Sequence, residues 1–226
     1  MTSLRTLPRR IAPVFAAALK SRAGGQADVT QAFEAFAEQR RLEFQSAAEA
    51  AQNARDLGSA LQGVLENAAK ESPLRILFIG VGDGHVLALV QCLAGRPLQA
   101  IVVDDWRATP ASEAVFLRNA ARLAETQLSL RRGASTALLP MLIEEEDRFD
   151  LIITQSSLRG WGALADLCFG AALLHRKGVM LVAENREAAS AGKTLIDRFH
   201  QTFATAIAHS HHGRWRKLLK TGDIPI

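Results

Sequence analysis

Three glycines stand at alternate positions in Ile79-Gly80-Val81-Gly82-Asp83-Gly84-His85, between an apolar run and a stretch of helix formers. Glycine there lets the chain turn tightly and lets a ligand come close to the backbone. The pattern is G-x-G-x-G; a dinucleotide fingerprint would need glycine at position 85, where His85 stands. The competing reading is a tight strand-to-helix turn with no ligand. A second feature favours the ligand. Asp104-Asp105 ends the next apolar run, at about the 20-residue spacing where an acid can accept hydrogen bonds from a ribose diol beside such a loop. Alone, Asp104 reads as a turn or helix-capping aspartate; with the loop it reads as a ribose acid. His85 opens the following helix and is a candidate base facing the pocket, against a plain first-turn surface residue.

The elements that must position these residues follow from periodicity. Short apolar runs at Arg75 to Ile79, Ala100 to Val103, Leu128 to Arg131, Phe149 to Thr154 and Val179 to Ala183 read as buried strands. Helical stretches lie between them, near 85–94, 112–126, 135–146 and 160–175, and another follows near 191–203. Strands alternating with helices imply parallel pairing through right-handed crossovers. Thr205 to His209 and Trp215 to Leu219 flank a turn at His212-Gly213 and read as a closing hairpin. The expected fold is therefore an α/β doubly wound sheet of seven strands with a terminal antiparallel hairpin.

The chain divides near Ser72-Pro73, giving a helical N-terminal extension, 1–72, and an α/β domain, 73–226. Asp28 to Lys70 is rich in Ala, Glu, Gln and Arg, and Gly58 marks a possible break between two helices. The extension reads as a lid, a dimerisation surface, or a cover for one face of the domain behind it. A short amphipathic helix over Ile11 to Leu19 is preferred to a signal peptide, because Pro13 and Lys20-Ser21-Arg22 spoil that pattern.

At 226 residues, 48% apolar and 22% charged, the chain is ordinary globular material, neither disordered nor a disulfide scaffold. Its apolar runs fall short of the roughly 18 residues of a membrane span. With two cysteines, Cys92 and Cys168, inside apolar runs, a reduced cytoplasmic setting is expected. The net charge of +4 permits an acidic or phosphorylated ligand, without the basic stripe of a nucleic-acid binder.

Taken in order, these stretches resemble class I S-adenosylmethionine-dependent methyltransferases, in the branch similar to catechol O-methyltransferase and related small-molecule O-methyltransferases. The likeness spans about residues 73–220. It is carried by Ile79 to Gly84, Val103-Asp104-Asp105-Trp106, Gly133-Ala134-Ser135 with Leu138-Leu139-Pro140, Phe149 to Ile153, Leu173 to Gly178 and Leu181 to Asn185. The resemblance implies S-adenosylmethionine as cofactor and a small hydroxylated acceptor; hydropathy and charge give no membrane or nucleic-acid partner, and the long N-terminal helices lead to the expectation of a homodimer. Gly80, Gly82, Asp83 and Gly84 would hold the cofactor's methionine end. Asp104 and Asp105 would meet the ribose, Ala134 and Ser135 the adenine, and Trp106 would either pack on the adenine or serve plain packing. Gln155, at the end of the fourth strand, completes the expected set, and Glu184 is the expected group for polarising the acceptor.

The chain departs from the family pattern at three places. Phe78 stands where the family has an acid before the loop. Metal-dependent members carry Asp after strand four and Asp-Asn after strand five; here Gln155, Glu184 and Asn185 stand there. That set offers three oxygens but one negative charge, a thin site for Mg²⁺. These departures support an alternative, a catalytically degenerate methyltransferase-like binding or assembly protein. A nucleotide-linked oxidoreductase is a third reading, opposed by His85 in place of glycine.

Other features have plainer explanations. His209, His211 and His212 read as a surface hairpin rather than a metal cluster, for want of a carboxylate or cysteine companion. Arg214-Trp215-Arg216-Lys217 reads as a strand with one buried ring. Trp161 stands at the ligand edge, as acceptor wall or as packing.

Overall fold

The computed structural model describes residues 26–67, 73–107, 109–123, 125–155, 160–183, 196–197 and 199–222. The expected helix at Ile11 to Leu19, and residues Glu184 and Asn185, lie outside them.

Two helices come first, α1 (Gln26–Gln39) and α2 (Ala47–Asn67). Next come β1 (Leu74–Ile79), α3 (His85–Ala94), β2 (Leu98–Asp104), α4 (Pro110–Arg122), β3 (Thr126–Arg132), α5 (Ser135–Glu144) and β4 (Phe149–Thr154). The chain continues through α6 (Gly160–Leu173), β5 (Leu174–Ala183), β6 (Ile207–His212) and β7 (Trp215–Lys220). The strands form one seven-stranded sheet, ordered β3-β2-β1-β4-β5-β7-β6. All neighbours from β3 to β5 pair in parallel, and β7 runs antiparallel to both β5 and β6. This is the expected seven-stranded doubly wound sheet.

Strand alternation divides the core between two faces. Leu74, Ile76 and Phe78 of β1 join the apolar cluster built with α1, α2 and α3. Leu77 and Ile79 join the other cluster, with Leu139 and Leu142 of α5 and Leu167 and Ala171 of α6. Successive side chains of a strand point to opposite faces, so a strand covered on both reads as a continuous apolar run.

The helical extension departs from expectation at Gly58. Its helix does not break there: α2 runs through Gly58, and the break lies at 40–46. Arg41 there has a φ of 53°, and Ser46 caps α2 by accepting the N–H of Glu49 on Oγ at 3.1 Å. Gly58 instead lets two helices approach, because a Cβ on it would lie 2.8 Å from Val29 Cγ1 of α1.

The closing hairpin is also shifted. The first strand starts at Ile207, not Thr205, because Phe203 O accepts the N–H groups of Ala206 and Ile207 and holds that stretch as a turn. Strand five is longer than expected, starting at Leu174 and carrying an irregular register opposite Phe149 and Leu151. Lys220, buried at the end of β7, donates from Nζ to the carbonyls of Ala171 in the last turn of α6 and Leu174 at the start of β5.

Candidate functional site

The sheet reverses its strand order between β1 and β4, and open α/β sheets bind ligands beyond the carboxyl ends of strands at such a switch point. Three backbone hydrogen bonds carry the ladder into this region. Gly80 N donates to Val103 O at 2.9 Å, Gln155 N to Ile79 O at 2.9 Å and Gly133 N to Asp104 O at 3.1 Å. The loops leaving four neighbouring strands are thus in fixed register.

They enclose a cleft of about 510 Å³. Gly80, Gly82, Asp83 and His85 line it from the glycine loop, and Asp104 and Asp105 from the end of β2. Ala134, Ser135 and Gln155 line it from the loops after β3 and β4. Nine of the residues singled out from the sequence are thereby brought to one cleft. Gly84 and Trp106 are not on its wall.

Asp104 holds the loop together. Its Oδ2 accepts the N–H of Val81 at 2.7 Å and of Gly82 at 3.3 Å, while Oδ1 accepts the N–H of Trp106 at 2.9 Å. A carboxylate has about four acceptor positions, so acceptor capacity remains. Trp106 itself has a φ of 48°, which turns its ring back beneath the loop. There Nε1 donates to Gly82 O at 3.0 Å and the ring packs on Phe116 at 5.4 Å. The tryptophan braces the glycine loop from behind and is 3% exposed.

Asp83 and His85 are buried together. His85 Nδ1 lies 2.6 Å from Asp83 Oδ1, which also accepts the backbone N–H of His85 at 3.2 Å. Asp83 Oδ2 accepts the N–H of Gln45 at 2.8 Å. Burial pushes the Asp83 carboxyl up, but the His85 ring and the two backbone N–H groups outweigh it and hold the group below its ordinary value. The other ring nitrogen of His85 lies 2.5 Å from Asn53 Nδ2. Both nitrogens are therefore engaged within the protein, and neither is offered to the cleft as a base.

Gly82, at φ 57°, has open space where a Cβ would stand, so its backbone is bare toward the cleft. Gln155 carries a buried Oε1 with no hydrogen-bond partner. An orphaned acceptor on a cleft wall marks a place for a donor from a ligand. Among the described residues no group of three His, Cys, Asp or Glu is placed to hold a metal ion.

Part of the site comes from residues that sequence reasoning did not single out. Gln45, Ser46 and Glu49, between α1 and α2 and at the start of α2, form a further wall. Asn119 of α4, 1% exposed, ties that wall to the loop by donating to Glu43 O at 2.6 Å and Asp83 O at 3.0 Å. Nothing in the local pattern around Asn119 or Gln45 distinguishes them from solvated helix and loop residues.

No family model and no curated protein matches the chain. Solved structures match its fold. Cofactor-bound Rv0187 from MTB aligns over 96% of this chain and 100% of its own, with a TM-score of 0.59 at 15% identity. The O-methyltransferase from Bacillus cereus in complex with SAH covers 92% of this chain and 97% of its own, with a TM-score of 0.54 at 12% identity. CalS11, a TDP-rhamnose 3'-O-methyltransferase of calicheamicin biosynthesis, covers 91% and 99%, with a TM-score of 0.55 at 14% identity. The chain has the Rossmann-like fold of class I methyltransferases and resembles small-molecule O-methyltransferases in it.

Proposed function

We propose that the protein binds S-adenosylmethionine in this cleft and transfers its methyl group to a hydroxyl of a small-molecule acceptor. The observation that carries the reading is the convergence of the glycine loop, Asp104 and Gln155 on one cleft at the sheet's switch point. The fold shared with cofactor-bound Rv0187 and with the SAH complex from Bacillus cereus supports it.

The cleft fits such a ligand by its chemistry. Bare backbone at Gly82 admits close approach. The acceptor position left on Asp104 suits one hydroxyl of a ribose diol, with Asp105 beside it on the wall for the other. Ala134 and Ser135, at the start of α5, border the adenine side, and the orphaned Gln155 Oε1 suits an ammonium or N–H donor. When bound, S-adenosylmethionine supplies a methyl group already activated on a sulfonium. The protein's own work is to align donor and acceptor, exclude water and accept the hydroxyl proton. His85 is occupied by Asp83 and Asn53, so its role is to hold the loop. Glu184 is the group we assign to the acceptor, on the resemblance alone. For Mg²⁺, Gln155 would offer one neutral oxygen, beside Glu184 and Asn185 as the donors the resemblance implies.

Calorimetric titration with S-adenosylmethionine and S-adenosylhomocysteine, with and without Mg²⁺, tests the reading. Saturable binding that Asp104→Ala removes is the expected result, followed by turnover in a screen of hydroxylated acceptors. Absence of binding to both compounds overturns it. Binding without turnover on any acceptor would favour the degenerate binding protein instead.

A further inference from the structure

A buried polar chain runs from the closing hairpin through α2 to the glycine loop, and its chemistry fixes which way each group points. Trp215 Nε1, at the start of β7, and Arg214 Nε, in the turn before it, lie 3.2 and 2.9 Å from Asn53 Oδ1 on α2. Both are donors only, so the oxygen of Asn53 must face them. A flipped amide would set its NH₂ against two donors. The NH₂ of Asn53 therefore faces His85 and donates to Nε2 at 2.5 Å. Nε2 must present its lone pair, which leaves the ring proton on Nδ1, donated to Asp83 Oδ1 at 2.6 Å. Asp83 in turn accepts Gln45 N–H and His85 N–H. Asn53 is 0%, Asp83 6% and His85 8% exposed. Every donor in the chain points one way, toward the loop.

We propose that Asn53 is a positioning residue for the glycine loop: it selects the Nδ1–H tautomer of His85, which anchors Asp83 and so couples α2 and the hairpin to the cofactor cleft. The consequence for cofactor affinity rests on the methyltransferase reading; the tautomer and the order of the loop do not. The network joins segments far apart in sequence, so residues 45–53 belong to the cleft's architecture and not to a separable cover. Glu49 extends it at the surface, accepting Arg214 Nη2 at 2.9 Å.

The test uses the full chain and two substitutions with opposite demands. Asn53→Leu keeps apolar packing and removes the polar link. Asn53→Asp keeps an acceptor for Trp215 and Arg214 but turns a second oxygen toward Nε2, which then needs a proton of its own. Long-range ¹H–¹⁵N spectra of the imidazoles should show His85 protonated on Nδ1 and bare on Nε2 in the wild type, and protonated on both in Asn53→Asp. Amide exchange over residues 80–85 should speed up by about tenfold in Asn53→Leu, the factor carried by one lost net hydrogen bond, and return toward wild type in Asn53→Asp. Affinity for S-adenosylhomocysteine should follow the same order. A simple packing role predicts the reverse order, with Leu tolerated and Asp disruptive.

A wild-type His85 protonated on Nε2, or loop exchange unchanged in Asn53→Leu, overturns the proposal. If Asn53→Leu does not fold, the spectrum of Asn53→Asp decides, and a singly protonated His85 there overturns it. Failure of the wild type to bind S-adenosylhomocysteine sinks the methyltransferase reading alone, because the spectra and exchange rates are read without ligand.

Discussion

The carboxylate of Asp104, at the end of β2, accepts the backbone N–H of Val81, in the loop after β1, at 2.7 Å. One side chain thus joins the two elements that the cofactor would have to bridge. It also explains how the loop is held although Phe78 is fully buried in the core, with no acid before the glycines. Asp104 serves Val81 and Gly82, and Asp83 serves Gln45 and His85. Asp104→Ala should cost about 1.5–3 kcal/mol, the range for losing hydrogen bonds to a charged group, and should abolish S-adenosylhomocysteine binding. Asp104→Asn, which can still accept from Val81 but sets an NH₂ against Trp106 N–H, should fall between the two. Urea denaturation and calorimetry give the ranking.

Gly58→Ala should destabilise the protein. Alanine improves helix propensity by roughly 1 kcal/mol. Against that, the new Cβ would lie 2.8 Å from Val29 Cγ1 and 3.2 Å from Val29 Cβ, on a stiff β-branched side chain. Overpacking typically costs about 1–3 kcal/mol, so the clash wins. Thermal unfolding of Gly58→Ala, and of Gly58→Ala with Val29→Ala, measures the balance; the double substitution should relieve the clash at Gly58.

Asp83 makes stability sensitive to acid. Its folded carboxyl lies below the ordinary 3.8, so the unfolded chain binds the proton more tightly. The contribution is fully present above the unfolded value and is lost as pH falls through the folded one. The stability difference between wild type and Asp83→Asn should therefore narrow as pH drops from about 5 to below the unfolded value of 3.8. Urea midpoints along that range report it; a constant difference would show that the Asp83 carboxyl takes up its proton alike in the folded and unfolded chain.

Thiol reactivity should separate the two cysteines. Burial pushes the Cys92 thiol up to about 12, and its Sγ sits 3.8 Å from Ala32 O beneath α1. Cys168 is less buried and shifted in the same direction. The thiolate is the reacting form. Iodoacetamide at neutral pH should alkylate Cys168 slowly and leave Cys92 intact until the protein unfolds, as peptide mass spectrometry would show.

Much of the sheet was legible because its strands are buried on both faces. Ile76 to Ile79 and Leu151 to Ile153 are continuous apolar runs, and the helices starting at His85 and Ser135 begin where expected. Turn chemistry and tertiary contact were less legible. Gly58 carries the local signature of a break, yet its reason for being glycine is Val29 of another helix. Trp106 stood at the ligand edge in sequence, but a positive φ turns it under the loop. Asn53 looks like one more polar residue on a helix between Gln52 and Arg55. Only the fold brings His85 and Trp215 to it.

The strand order has a consequence for how the chain is made. β7 is the last strand in sequence among the described residues, yet it lies inside the sheet, between β5 and β6. A ribosome delivers it after the six other described strands of the sheet. Until Trp215 to Lys220 have emerged, β5 presents an open edge with Val179 to Ala183 unpaired on that side, and open apolar edges recruit other chains. A chain whose synthesis stalls before the hairpin turn therefore carries that edge exposed.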